Sequence, residues 1–536
     1  MAEKSSNFSR FGDPSTSPIH PLLSSSSPSS IQDPTHSDSD QSCYIQITYN
    51  HASRQIKDIP ILLLFSLCFL STFAFGIFAS INRNPSFKIA SSFVYDSNNK
   101  SCRVPDSITH HSNSISSSNS DVVIDGLILA IVVTSVLSGP FALSVLWLLK
   151  RYCKQVVYFT VPFFVLLPVS INIYWFAACM INSTCSKEFP LAYRILVLVF
   201  VFLVIGVLIW IVVINWNRIE LTALIIGISS NALWANLRLF IVLPCLTLGL
   251  LVYYVPIVVF LVFANENGKI VVREKKSGEY YCDWKRDIWV SGYYGLAIVT
   301  MIWSAAAMVE AQTYVISGTI AQWYFSKGNS TTRKSLRNSL RNGFGASFGT
   351  VCLSGSLICV VRIVRTLVDT ARQENVSGMT NMLFKCCVNA LFSAFDFLNK
   401  FAIYFAAITG EAYCSSAKMT YELLKRNLLC TAFVETVSTR LLSGIISVFS
   451  AAYAILVCAV AYGVSDLGAG SYIIGAMSWV LLMVVMVYVV GVIDDVIDTI
   501  YVCYAIDRDR GDVCRPEIHQ VYAQLPIYRS YRSSLL

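Results

Sequence analysis

Glu310 stands inside the apolar run WSAAAMVEAQTYVISGTIAQWYF, with Gln312 close behind it. An ionisable group in a membrane-length apolar segment is costly unless it is paired or hydrated. Such a carboxylate suits a cation or a proton reached through a water-filled cavity; it equally suits a hydrogen bond between helices. Glu411 and Glu435 flank later apolar runs, and Asp494, Asp495 and Asp498 crowd the end of the last one. For these three aspartates the expectation is solvation at the mouth of a helix bundle. Rings accompany the acids: Trp303, Trp323, Tyr324, Tyr404 and Tyr413. A quaternary ammonium has no N–H to donate, so ring faces and a nearby carboxylate hold it best. The candidate substrate-binding set is therefore Glu310, Gln312, Trp303, Trp323, Tyr324, Tyr404, Glu411 and Asp498. The competing use of such rings is packing or an interfacial belt.

Other chemistries lack their parts. No G-x-x-x-x-G-K-[ST] loop is present for ATP-driven transport, and no metalloprotease or serine-nucleophile motif appears. No enzymatic activity and no cofactor are expected. Of 17 cysteines, most, such as Cys68, Cys245, Cys352, Cys359 and Cys458, lie in apolar runs, where Cys acts as a small hydrophobe. No Cys-x-x-Cys with matching His suggests a metal. The formal charge is +8, but the basic residues sit at the ends of apolar runs and form no nucleic-acid surface.

The elements that must position the acids are membrane helices. The 536 residues are 55% hydrophobic and only 13% charged, so lipid must solvate part of the surface. Apolar runs predict ten spans, at about 60–81, 122–149, 156–180, 191–214, 237–264, 288–325, 343–368, 388–413, 430–462 and 472–506. The fold class is all-α, a polytopic transmembrane bundle. Residues 219–236 are mildly amphipathic and read as an interfacial or re-entrant helix. The acid-free basic stretch holding Lys327, Arg333, Lys334, Arg337 and Arg341 reads as a cytosolic loop, which puts both termini in the cytosol. The polar hairpin 265–287 then lies outside, as do the sequons at Asn99 and Asn182, both glycosylation candidates. Cys102, Cys185 and Cys282 fall in these outer loops, and the sequence does not choose a disulfide among them. Gly345 and Gly349 form a G-x-x-x-G that permits close helix packing.

Residues 1–58 read as a disordered Ser/Pro-rich cytosolic tail, 59–506 as a transport domain, and 507–536 as a basic cytosolic tail. Long motifs suggest more. AQTYVISGTIAQWYF (311–325), RNGFGASFGTVCLSGSLICVVRIVR (341–365), FLNKFAIYFAAITGEAYCSSAKMTYELLKRN (397–427) and VIDTIYVCYAIDRDRGD (496–512) resemble the choline transporter-like family, in its plant-type form. Gln312, Gly318, Tyr324, Asn399, Tyr404, Gly410, Cys414, Asp498 and Asp507 match shared motif positions, whereas Glu310 matches only the plant-type branch. The resemblance implies ten spans and sodium-independent movement of choline or a related organic cation, by proton exchange or facilitated diffusion. It implies a multi-pass protein of the plasma membrane, or of trans-Golgi or endosomal membranes. The expected partners are a small cation and the lipid bilayer, with oligomeric state left open. The competing reading is a non-transporting organiser of trafficking or lipid homeostasis, acting through the Ser-rich tail.

Overall fold

The computed structural model describes residues 54–85, 87, 93–96, 101–103, 121–181, 190–274, 280–326, 332–373, 379–464, 470–510 and 513–524. Asn99, Asn182 and Cys185 lie outside them, as does the 374–378 junction between the seventh and eighth expected spans. Nine helices among the described residues are long and apolar enough to cross a membrane. They belong to α1 (Ile59–Ile81), α2 (Asp121–Ile181), α3 (Leu191–Ile214), α5 (Leu239–Asn265), α6 (Ile288–Phe325), α8 (Phe348–Gln373), α9 (Met379–Thr409), α10 (Tyr413–Val464) and α11 (Gly470–Arg510).

The count of nine agrees with ten apolar lengths because α2 holds two of them. Its backbone leaves helical geometry at Tyr152 (φ −130°). Each side of that break extends about 45 Å at 1.5 Å per residue, more than a hydrocarbon core of about 30 Å. The expected spans 122–149 and 156–180 are thus one broken helix.

Two readings change. Residues 219–236 form most of α4 (Trp216–Ala235), but α4 is not an amphipathic surface helix. Leu221, Thr222, Ala223, Ile225, Ile226, Ser229, Ser230, Ala232 and Leu233 are buried, and the helix packs on α2 and α11. Small and hydroxyl side chains let it bury several faces at once, which its weak apolar stripe concealed. The basic stretch is also not simply a loop: Thr332–Gly343 is helical (α7), with Ser335, Leu336 and Ser339 buried beneath exposed Arg337 and Arg341. A shift of boundary accompanies these changes. The eighth span ends at Thr409, because Gly410 takes a left-handed φ of +77° and stops the helix.

At the opposite end of α6 lies a β-structured cap. β3 (Gly268–Glu274) and β4 (Tyr280–Arg286) pair antiparallel, forming the expected hairpin. β1 (Val94–Asp96) pairs with β2 (Ser101–Arg103), and a Cys102–Cys282 disulfide joins the two sheets. Helix α6 is the hub of the bundle, touching α5, α7, α8, α9 and α11.

Candidate functional site

Helix α6 presents Trp303 and Glu310, two turns apart, to α8. The indole Nε1 of Trp303 donates to the Cys352 carbonyl at 2.9 Å, and its ring meets Phe65 edge-on at 5.2 Å. Glu310 is buried, and Ser354 Oγ donates to its Oε2 at 2.8 Å. Asn399 Nδ2 donates to Ser354 Oγ at 2.8 Å, and Tyr413 Oη donates to Asn399 Oδ1. One polar chain therefore runs from α6 through α8 and α9 to the start of α10. The uncovered side of Glu310 borders a groove of about 500 Å³, between α6 and α8, whose walls are apolar apart from Arg362 and Thr366.

One turn further along α6 is a second polar centre. Thr313 Oγ1 donates to Asp495 Oδ2 at 3.2 Å, and Tyr404 Oη donates to Asp495 Oδ1 at 2.9 Å. The same hydroxyl lies 3.3 Å from Asp498 Oδ2. Lys400 Nζ is 2.7 Å from Asp498 and 3.7 Å from Asp494, while Thr439 donates to Asp494 at 2.9 Å. Four helices thus converge on three carboxylates, two of which, Asp494 and Asp498, meet the Lys400 ammonium. Asp494 lies about 36 Å along α11 from Gly470 and about 24 Å from its end at Arg510, so the cluster sits well inside the helix. The expectation of solvation at a bundle mouth is not met: Asp498 is 1% exposed. The reason is that α6, α9 and α10 extend past this level and enclose it. The side chain of Glu435 lies outside the described residues.

The eight candidates do not form one cage. Glu310 and Trp303 share the α6–α8 seam, and Tyr404 and Asp498 share the aspartate cluster. Gln312 points the other way, donating to Thr247 Oγ1 at 2.8 Å on α5. Glu411 is exposed in the α9–α10 turn, 3.9 Å from Lys57. Trp323 already faces a cation of the chain itself. The Arg515 guanidinium sits 4.5 Å from the centre of the Trp323 ring and donates to its carbonyl at 2.8 Å. Tyr324 Oη donates to buried Asp507 at 3.0 Å, and Cys514 N and His519 also contact that carboxylate. These contacts fasten the short helix α12 (Pro516–Tyr522), where Tyr522 stacks on Tyr504. The start of the expected C-terminal tail is therefore packed on the bundle. An Arg515→Ala variant is expected to be cleaved within 516–522 several-fold faster under limited proteolysis. Unchanged cleavage would show that Trp323 does not hold this segment.

Sequence reasoning placed no weight on Lys400, Ser354 or Asn399 as partners of the acids. Lys400 carried a usable signal, since it is a basic residue inside the apolar run FLNKFAIYFAAIT. An unforeseen cleft of about 170 Å³ also collects Phe65, Phe69, Tyr253, Phe344 and Phe348 from α1, α5 and the α7–α8 region. Its rings come from separated segments that no single motif contains.

Against this geometry, similarity to known proteins is specific. The chain is 24% identical to a CTL-like protein of Dictyostelium discoideum over 42% of its own length and 43% of that protein's. It is 24% identical to choline transporter-like protein 3 of Homo sapiens, over 55% of this chain and 46% of the relative. The match to choline transporter-like protein 1 of Xenopus laevis is also 24%, over 55% and 46%. The chain thus spans less than half the length of these curated relatives. Residues 199–509 match the sequence profile described as plasma-membrane choline transporter. That stretch contains α6 and nearly all of α11, the two helices that supply the acids of the two polar centres, and this integral, multi-pass membrane protein belongs to the plasma-membrane choline transporter family.

Proposed function

We propose that this chain moves choline or a closely related organic cation across the plasma membrane, without sodium, by proton exchange or facilitated diffusion. The observation that carries this reading is the cluster of Asp494, Asp495 and Asp498, with Lys400 as its one basic contact among the described residues. Enclosed carboxylates in excess over their basic partners call for a mobile cation or protons. Glu310, one turn away on α6, extends the same acidic region. The five-ring cleft beside α6 adds faces suited to a quaternary ammonium, and its volume fits a small ligand. The names of the relatives agree with this substrate class.

The test is uptake of labelled choline into proteoliposomes holding the full chain. Saturable uptake is expected, unchanged when potassium replaces sodium. Asp495→Asn is expected to lower the initial rate at least tenfold, because Asp495 is the aspartate that hydroxyls of both α6 and α9 bind. Glu310→Gln should lower it less, since an amide still accepts from Ser354. Absence of saturable uptake, or wild-type rates in Asp495→Asn, would sink the proposal.

A further inference from the structure

The segment just before α1 is threaded into the bundle. Arg54 Nη1 donates to the buried Tyr314 hydroxyl at 2.6 Å, and its Nη2 donates to the Ala407 carbonyl at 3.3 Å. Ala407 lies in the last turn of α9, where carbonyls lack helical partners and carry the negative dipole end. Gly410 makes room for the guanidinium: a Cβ there would lie 3.0 Å from Arg54 Cζ. Tyr314 in turn donates to Ser347 at 2.9 Å.

The rest of the segment is fixed as closely. Lys57 N donates to Ala346 O at 3.1 Å. Asp58 Oδ2 accepts from Thr350 Oγ1 at 2.6 Å and from Tyr413 N at 3.0 Å. Gly349 permits the approach, since a Cβ there would lie 2.5 Å from the Lys57 carbonyl and 2.7 Å from that of Asp58. Two glycines and a helix end thus shape a socket for residues 54–58.

The socket adjoins both polar centres. Tyr314 follows Thr313, which binds Asp495. Tyr413, whose amide Asp58 holds, begins the hydrogen-bonded chain through Asn399 and Ser354 to Glu310. We propose that residues 54–58 are an inhibitory latch, with Arg54 as a tethered organic cation that fills the Tyr314–Ala407–Gly410 pocket and holds this end of the transport path shut. The inference rests on the transport reading for its path, while the seating of the latch stands on its own contacts. Release by a binding partner or by charge added to the neighbouring chain would then raise transport.

The test uses the full chain in proteoliposomes, comparing wild type, Arg54→Gln and Gly349→Leu. The first variant removes the guanidinium and the second removes the room for the strap. Hydrogen exchange at 410–414 reports the seating, because the Tyr413 amide is held by Asp58. Exchange within 490–506 confirms that each variant is folded. Both variants are expected to exchange at least tenfold faster at 410–414 and to take up choline several-fold faster, with Arg54→Lys between them and wild type. Unchanged exchange in the folded variants overturns the latch, as does faster exchange with equal or slower uptake. No uptake by any protein, with exchange still dependent on the strap, counts against the transport reading alone.

Discussion

Replacing Lys400 with Met is expected to lower stability by about 3–5 kcal/mol and to leave little correctly inserted protein. The wild-type ammonium lies 2.7 Å from Asp498 and 3.7 Å from Asp494, and Asp498 is almost fully enclosed. Removing it leaves the carboxylates facing each other with, among the described residues, hydroxyl donors alone. An enclosed pair is worth little when compared with two apolar residues, yet removal of one member exposes the full desolvation cost of the other. The double variant Lys400→Met with Asp498→Asn separates the two effects. It should recover much of the lost stability, because the best-buried unpaired charge is gone. It should not recover uptake, because Asp495 has lost its charged surroundings. Melting in detergent, with Lys400→Arg as the charge-conserving control, reads the first effect, and choline uptake reads the second. A Lys400→Met protein that melts at the wild-type temperature would show that the ammonium does not hold the cluster.

Why Lys400 was legible only in part follows from what sequence patterns encode. Apolar length reports lipid contact directly, so the ten lengths, the polar hairpin and the break between 149 and 156 could be read from composition alone. Partnership between helices is different. Glu310, Ser354 and Asn399 are joined by packing across 44 and 45 residues of chain, and no local periodicity carries that information. The sequence showed that a carboxylate stood in a span, while its donor was hidden among serines typical of any membrane helix. The aspartates illustrate the opposite limit. The apolar run puts them in its last turns, whereas α11 continues to Arg510, and enclosure depends on how far other helices continue, which hydropathy does not measure.

The aromatic residues were the least legible part of the candidate site. Trp323 and Tyr324 have the chemistry of a cation cage, and Trp323 does face a cation. That cation is Arg515, 192 residues along the chain from Trp323. The same holds for residues 54–58, which composition groups with the preceding Ser-rich tail. Their seating depends on glycines at 349 and 410 that come close only in three dimensions. The ring types were therefore informative about chemistry and silent about whether a ligand or the chain itself satisfies them. Notably, Gly349 serves the strap and Gly345 meets the carbonyl of Arg341 on its own turn, so the G-x-x-x-G pattern does not mark the helix–helix seam.

That seam is set by Gly355, and Gly355→Val is expected to open it. A Cβ at this position would lie 2.7 Å from Ala307 N and 2.9 Å from Ala307 Cα. Both atoms are backbone, so no side chain can rotate away, and α6 and α8 must separate. The residue is flanked by the bonds that join these helices: Trp303 to the Cys352 carbonyl, and Ser354 to Glu310. Overpacking alone costs about 1–3 kcal/mol, and lengthening hydrogen bonds to buried groups adds about 1–3 kcal/mol more. Two effects compete in the smaller variant. Gly355→Ala gains helix propensity, about 1 kcal/mol in a helix interior, and loses the close backbone contact. If the contact dominates, Gly355→Ala melts below wild type and Gly355→Val far below it. If Gly355→Ala is stabilising, the helices have room to spare, and the closeness of the α6–α8 seam cannot be what holds Ser354 against Glu310. The sign of the alanine variant thus decides whether the carboxylate is positioned by steric necessity or only by its hydrogen bond.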